Sequence, residues 1–287
     1  MHSLSTQSKA ILMMIGAIFF FSTMDATAKE LTKHIGTVPT IWARYAGQSV
    51  LVLLMVSPRL RSVVKTRYPG LQLARALLLM CGTGCFFFGL AHIGLAEATA
   101  IMDINPVLIT LGAAIFLGEK LGPRRLLGVL AALIGALIVI RPGSGVFSAY
   151  ALFPLGAAMA YTAYSLVTRF VGMNEDPWTS LLYSAIFGAI ILSCIVPFFW
   201  VTPSVTAWGL MGLLAIGGTA SQLFLIRALS IGEAAMLAPF AYSGLIFATV
   251  WGITLFDEYP DLWTIIGALV IALSGIYVWH RETRGGT

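Results

Sequence analysis

Apolar residues in this chain come in long unbroken runs rather than in alternation, and short polar gaps separate the runs. "ILMMIGAIFF" (11–20) fills the first and "VLVLLMV" (50–56) closes the second. Runs near 20 residues, enough to cross roughly 30 Å of hydrocarbon, lie at 10–29, 39–57, 72–92, 97–117, 124–141, 149–169, 178–199, 207–227, 233–255 and 261–280. The gaps carry the breakers, among them "GEKLGP", "RPGSG", "NEDP", "VTPS" and "DEYPD". Each run predicts a helix, because an isolated strand cannot satisfy its backbone in lipid. The expected fold class is all-α integral membrane protein, with ten transmembrane helices.

Composition agrees with the pattern. The chain of 287 residues is 59% hydrophobic and 10% charged, with a mean hydropathy of +0.91. One soluble core could not absorb that much apolar surface. Its 17 Lys and Arg against 12 Asp and Glu sit mostly in the short gaps, so the excess is read as a topology signal and no nucleic-acid partner is expected. Cys81, Cys85 and Cys194 all fall inside apolar runs and are read as packing residues, without disulfide or metal.

With a cytoplasmic N-terminus, thirteen Lys and Arg fall inside, Arg75 among them, and three fall outside. That bias predicts both termini in the cytoplasm. The ending "ATA" at 26–28 imitates a signal-peptide cleavage site. The first span is nevertheless expected to stay, because it has a counterpart later in the chain.

The chain repeats itself. "GTGCFFFGLAHIGLAEA" at 82–98 matches "GTASQLFLIRALSIGEA" at 218–234 without a gap, and Gly82, Thr83, Phe88, Glu97 and Ala98 recur at a shift of 136. Glu119 answers Glu258 at a shift of 139, and Lys29 answers Arg169. Five spans per half is an odd number, so the second copy enters the membrane upside down. Inverted-topology repeats that rock around a central site are a mark of secondary transporters.

The segments "AEATAIMDINPVLITLGAAIFLGEKLGPRRLLGVLAALIGALIVIRP" (96–142) and "GEAAMLAPFAYSGLIFATVWGITLFDEYPDLWTIIGALVIALSGIYV" (232–278) resemble the two modules of the EamA branch of the drug/metabolite transporter superfamily. "MDATAKELTKH" and "FDEYPD" are most similar to the subgroup that includes S-adenosylmethionine uptake carriers, and riboflavin-type carriers are similar too. The resemblance implies two five-helix domains, 10–141 and 149–280, around a central cavity, moving a small polar metabolite across a bacterial inner membrane.

Candidate site residues follow from charge depth. Asp25 lies about 24 Å along the first span at 1.5 Å per residue, and Arg44 and Asp103 enter from the same side to a similar depth. An ionisable group there costs at least about 2.5 kcal/mol unless it is paired or faces water. Asp25 and Arg44 are natural partners, and Asp103, followed by Asn105, could share the arginine. Two readings stay open: a cavity wall that binds substrate or carries a coupling proton, and a bridge that only locks helices. The second half offers neutral groups instead, Tyr161, Tyr164, Gln222, Tyr242 and Ser243, as a wall for the organic part of a ligand or as interhelical hydrogen bonds. Pro106 and Pro239 interrupt the ladder of spans 4 and 9, as gating kinks or fixed ones. Lys29, Glu30 and Lys33 are read as a solvated helix end, and Glu119 and Glu258 as braces of the turns that follow them.

No HExxH, GxSxG or GxxxxGK stretch occurs, so neither an enzyme nor an ATP-driven pump is expected, and no cofactor. A small-molecule carrier in the bilayer is the expected function, with a passive channel or a broad-specificity exporter as alternatives.

Overall fold

The computed structural model describes residues 6–105, 107–109, 111–112, 123–141, 148–172, 175–231 and 240–284. Its main helices are α1 (Thr6–Ile35), α2 (Thr37–Val56), α3 (Pro69–Leu90), α4 (Leu95–Met102), α5 (Pro123–Ile140), α6 (Leu152–Gly172), α7 (Pro177–Ile195), α8 (Val205–Ile231), α9 (Ser243–Phe256) and α10 (Leu262–Arg284). One helical turn, Leu60–Val63, lies in the gap between α2 and α3. No strand occurs among the described residues.

The helix ends have local causes. Asp176 caps α7, its carboxylate accepting from Trp178 N at 2.9 Å, with Pro177 at the first helical position. Pro69 opens α3 in the same way. Gly36, at φ 81, turns the chain sharply between α1 and α2, where a side chain would be strained. At the end of α9, Asp257 adopts φ 53 and Glu258 N closes on Gly252 O at 3.0 Å.

Among the described residues, five helical stretches are long and apolar enough to cross a membrane: Ser8–Ile35, Pro69–Leu90, Ala149–Thr168, Pro177–Phe199 and Val205–Leu225. Leu130–Ile140, Ser243–Phe256 and Leu262–Tyr277 are shorter apolar helices. The bundle turns large apolar side chains outward all round, as Leu54, Met159, Leu213 and Ile246 show, each about 60% exposed or more. A surface of that kind suits hydrocarbon and not water.

The strongest packing joins the first five helices to the last five: α1 with α8, α3 with α6, α2 with α7, and α5 with α10. Adding five to each label turns α1·α8 into α6·α3, α8·α2 into α3·α7, and α1·α9 into α6·α4, all of them observed contacts. Gly135 on α5 and Gly267 on α10 face each other so closely that a Cβ at either would meet the other's carbonyl within 3 Å. Small residues let membrane helices approach to backbone contact in this manner. The two sets of five are thus interleaved, and the centre of the bundle is lined from both.

Candidate functional site

Arg44 is the centre of the polar core. It sits on α2, 4% exposed, and its Nη1 donates to Thr83 Oγ1 on α3. Tyr45 OH meets the same hydroxyl at 3.1 Å. The guanidinium lies 5.3 Å from the Tyr45 ring and 5.9 Å from the Phe87 ring. Its Nε is buried and finds no hydrogen-bond partner among the described residues. Asp25, half-buried on α1, is within electrostatic reach of Arg44 without a direct ion pair to it. Tyr161 on α6 is within the same reach.

α4 stops at Met102, and Asp103 and Ile104 form a turn before helical bonding resumes, with Leu108 N on Ile104 O at 3.1 Å. A proline at position 106 has no N–H for the Met102 carbonyl, which accounts for a break at this point. Asp103 Oδ2 is left buried without a hydrogen-bond partner among the described residues, and so is the hydroxyl of Tyr242 at the start of α9. Asp103 lies within electrostatic reach of Tyr242. Gly275 on α10 makes room for the Tyr242 ring and hydroxyl, since a Cβ there would collide with both.

The other predicted residues divide. Asn105 is held by α6, its Nδ2 donating to Ala158 O at 3.1 Å and Thr162 Oγ1 at 3.0 Å. Gln222 Oε1 on α8 accepts from Gln48 Nε2 on α2 at 3.0 Å. Tyr161 and Tyr164 form a tilted ring pair 5.4 Å apart. Ser243 Oγ donates to Phe240 O within its own turn at 2.7 Å. Pro106, Pro239 and Glu119 lie outside the described residues. An apolar groove of about 330 Å³, lined by Leu245, Val250, Thr264 and Leu269 among others, opens on the outer surface between α9 and α10, and none of the polar residues above lines it.

A profile described as the EamA-like transporter family matches the chain twice, over residues 8–141 and 148–279. The chain belongs to that family. This EamA-like transporter is 28% identical over 272 residues to a protein named pseudopaline exporter CntI from Pseudomonas aeruginosa, covering 93% of this chain and 94% of that one. It is 25% identical over 271 residues to an S-adenosylmethionine uptake transporter from Rickettsia felis, covering 93% and 92%. A riboflavin transporter from Brucella anthropi is 28% identical over 271 residues, covering 90% and 95%. A solved crystal structure shares the fold at a TM-score of 0.69 and 18% identity, over 98% of this chain and 99% of its own.

Two side chains of this EamA-like transporter depart from their sequence reading. Lys29 is not solvated: α1 runs on to Ile35, so Lys29 still faces the bundle, 7% exposed. Its Nζ donates to Ile93 O at 2.5 Å and pairs with Glu258 Oε1 at 2.7 Å. Glu258 Oε2 in turn accepts from Leu95 N at 2.9 Å, so it caps α4 across the bundle. Arg75, grouped by sequence with the loop charges, is buried on α3 at 2% exposure. Its place three residues into the third run was the available signal. Gln48 was likewise legible as the residue one helical turn after Arg44 on the same face.

Proposed function

We propose that this chain is a secondary carrier of a small polar or charged organic metabolite, working by alternating access between two inverted-topology five-helix repeats, 10–141 and 149–280. One observation carries the reading: Arg44 Nε, Asp103 Oδ2 and Tyr242 OH are buried between the two sets of helices and have no hydrogen-bond partner among the described residues. Leaving such groups unpaired costs several kcal/mol each. A site that receives a polar ligand, or a proton, recovers that cost when filled.

In this reading Asp25, Arg44 and Asp103 bind the charged groups of the substrate or carry a coupling proton. Tyr161, Tyr164, Gln222, Tyr242 and Ser243 line the rest, and Asn105 fixes the break beside Asp103. Pro106 and Pro239 bend during gating. The exchange of packing partners on adding five to each label supports the inverted repeat. The names of the relatives support a metabolite cargo, and they include both uptake and export. The charge bias supports cytoplasmic termini in an inner membrane.

The test is counterflow in proteoliposomes with S-adenosylmethionine, riboflavin and amino-acid cargoes. Saturable exchange of at least one is expected, which a passive channel would not give. Asp25→Asn and Asp103→Asn should each lower it at least about tenfold, the equivalent of roughly 1.4 kcal/mol, with unfolding temperatures close to wild type. Wild-type exchange in both variants would remove these carboxylates from the site.

A further inference from the structure

Arg75 and Lys29 are buried cations that the transport site above leaves unused, but Lys29 is paired with Glu258, whereas the surroundings of Arg75 are unusual for a structural arginine. Nε donates to Thr168 Oγ1 at 2.8 Å, Nη1 to Gln72 Oε1 at 2.7 Å, and Nη2 to Tyr164 OH at a long 3.3 Å. Every one of these acceptors is neutral. No carboxylate pairs with Arg75 directly among the described residues. The nearest acid in its network is Glu175, reached only through Gln72, whose Nε2 donates to Glu175 Oε2 at 2.8 Å. A guanidinium has five N–H donors in a flat fork that fits a carboxylate. Here three are spent on neutral oxygens, and the charge stays uncompensated inside the bundle.

The second observation is its position relative to Arg44. Tyr164 stacks on Arg75, with the guanidinium 5.1 Å from the ring, and Tyr161 lies within reach of Arg44. The two rings touch each other at 5.4 Å. On α3, Arg75 and the Thr83 that holds Arg44 are eight residues apart, about 12 Å along the axis. Two buried arginines therefore lie near one tyrosine pair, Arg75 against the Tyr164 ring and Arg44 within electrostatic reach of Tyr161.

We propose that Arg75 is the anion-recognition side chain of a second ligand station, one that takes the carboxylate of the transported metabolite beside the Tyr161–Tyr164 pair. The proposal rests on the carrier reading and narrows its cargo to organic acids and zwitterions. A carboxylate entering there takes the two unspent N–H donors and displaces the long Tyr164 contact, while Gln72 and Thr168 keep the fork in place.

The test compares wild type with Arg75→Gln, Arg75→Lys and Arg44→Gln in detergent. The probes are acetate, succinate and benzoate, each against its neutral amide at equal ionic strength. At ten times its dissociation constant a carboxylate should raise the wild-type unfolding temperature by about 3 °C, and the amide should not. Arg75→Gln should lose that shift and, without ligand, unfold no lower than wild type, because an uncompensated buried charge has been removed. Arg75→Lys, with charge but no fork, should keep only part of the shift. Arg44→Gln should retain a shift. No shift in wild type with any of the three acids, a full shift in Arg75→Gln, or a shift lost only in Arg44→Gln would each overturn the assignment. If no metabolite exchanges but the Arg75-dependent shift stands, the carrier reading fails alone. If Arg75→Gln exchanges carboxylate cargo at the wild-type rate, the second station fails alone.

Discussion

The two ends of the bundle are both fastened across the two sets of helices, by different chemistry. At one end the fastening is ionic: Lys29 to Glu258 at 2.7 Å and Arg141 to Asp261 at 2.6 Å, with Glu97 within electrostatic reach of both bases. At the other end a single carboxylate, Glu175, collects neutral donors. Thr66 Oγ1 lies 2.8 Å from both of its oxygens, Arg67 N donates at 2.6 Å, and Gln72 Nε2 donates at 2.8 Å. An ion pair loses a whole partner when one charge is removed. A carboxylate held by several donors loses strength in smaller steps. The first end should therefore behave as a switch and the second as a graded clasp.

The largest effect is expected from Lys29→Met. It leaves Glu258 with the Leu95 amide as its remaining described partner, in a pair whose side chains are 8% and 32% exposed. Breaking a fully buried pair costs about 3–5 kcal/mol, and the partial exposure of Glu258 lowers the expectation to about 2–3 kcal/mol. Thermal unfolding reads this directly. The double variant Lys29→Met/Glu258→Gln should recover part of the loss, giving a coupling energy. Strict additivity of the two single changes would break the contrast between the ends at its strongest point.

That pair also shows where sequence stopped being readable. The apolar runs located the helices well, since a run long enough for lipid can satisfy its backbone only as helix. They ended α1 at residue 29, because charge marks the edge of an apolar run but not the end of a helix, which continues to Ile35. Asp25, Arg44 and Asp103 stood out as charges inside apolar runs. That Asp103 comes within electrostatic reach of Tyr242 depends on how α4 and α9 cross, which depth along a span does not contain. Lys29 with Glu258, and Arg75 with Tyr164, are contacts between distant segments whose residues each look ordinary alone.

A smaller effect is expected at the opposite end. Glu175→Gln keeps a carbonyl acceptor but loses the charge that strengthens these bonds, for about 1–2 kcal/mol. Its pH dependence sharpens the comparison. Desolvation pushes the Glu175 carboxyl up, but the bonds from Arg67 N, Thr66 and Gln72 together outweigh it and hold the group below its usual range. The unfolded chain then takes up its proton at higher pH than the folded one. Glu175 thus contributes stability that is complete above the ordinary value near 4.3 and lost as pH falls through the lowered folded value. Between about pH 5 and pH 3 the unfolding temperature of Glu175→Gln should fall less steeply than that of wild type. Parallel curves would mean that the clasp does not feel its charge.

The smallest effect belongs to the ionic end as well, which makes it the most discriminating. Asp261 and Arg141 are close, yet their side chains are 44% and 25% exposed, and pairs in that position contribute about 0–1 kcal/mol. Asp261 also caps α10, accepting from Thr264 N at 2.8 Å, a bond that asparagine can keep. Asp261→Asn therefore isolates the charge, and should lower the unfolding temperature by no more than about 2 °C. The difference from wild type should shrink toward zero at 1 M salt, where screening acts over about 3 Å. An effect as large as that of Lys29→Met would mean that Lys29, Glu97, Arg141, Glu258 and Asp261 act as one network. The switch would then be the whole charged rim rather than the single buried pair.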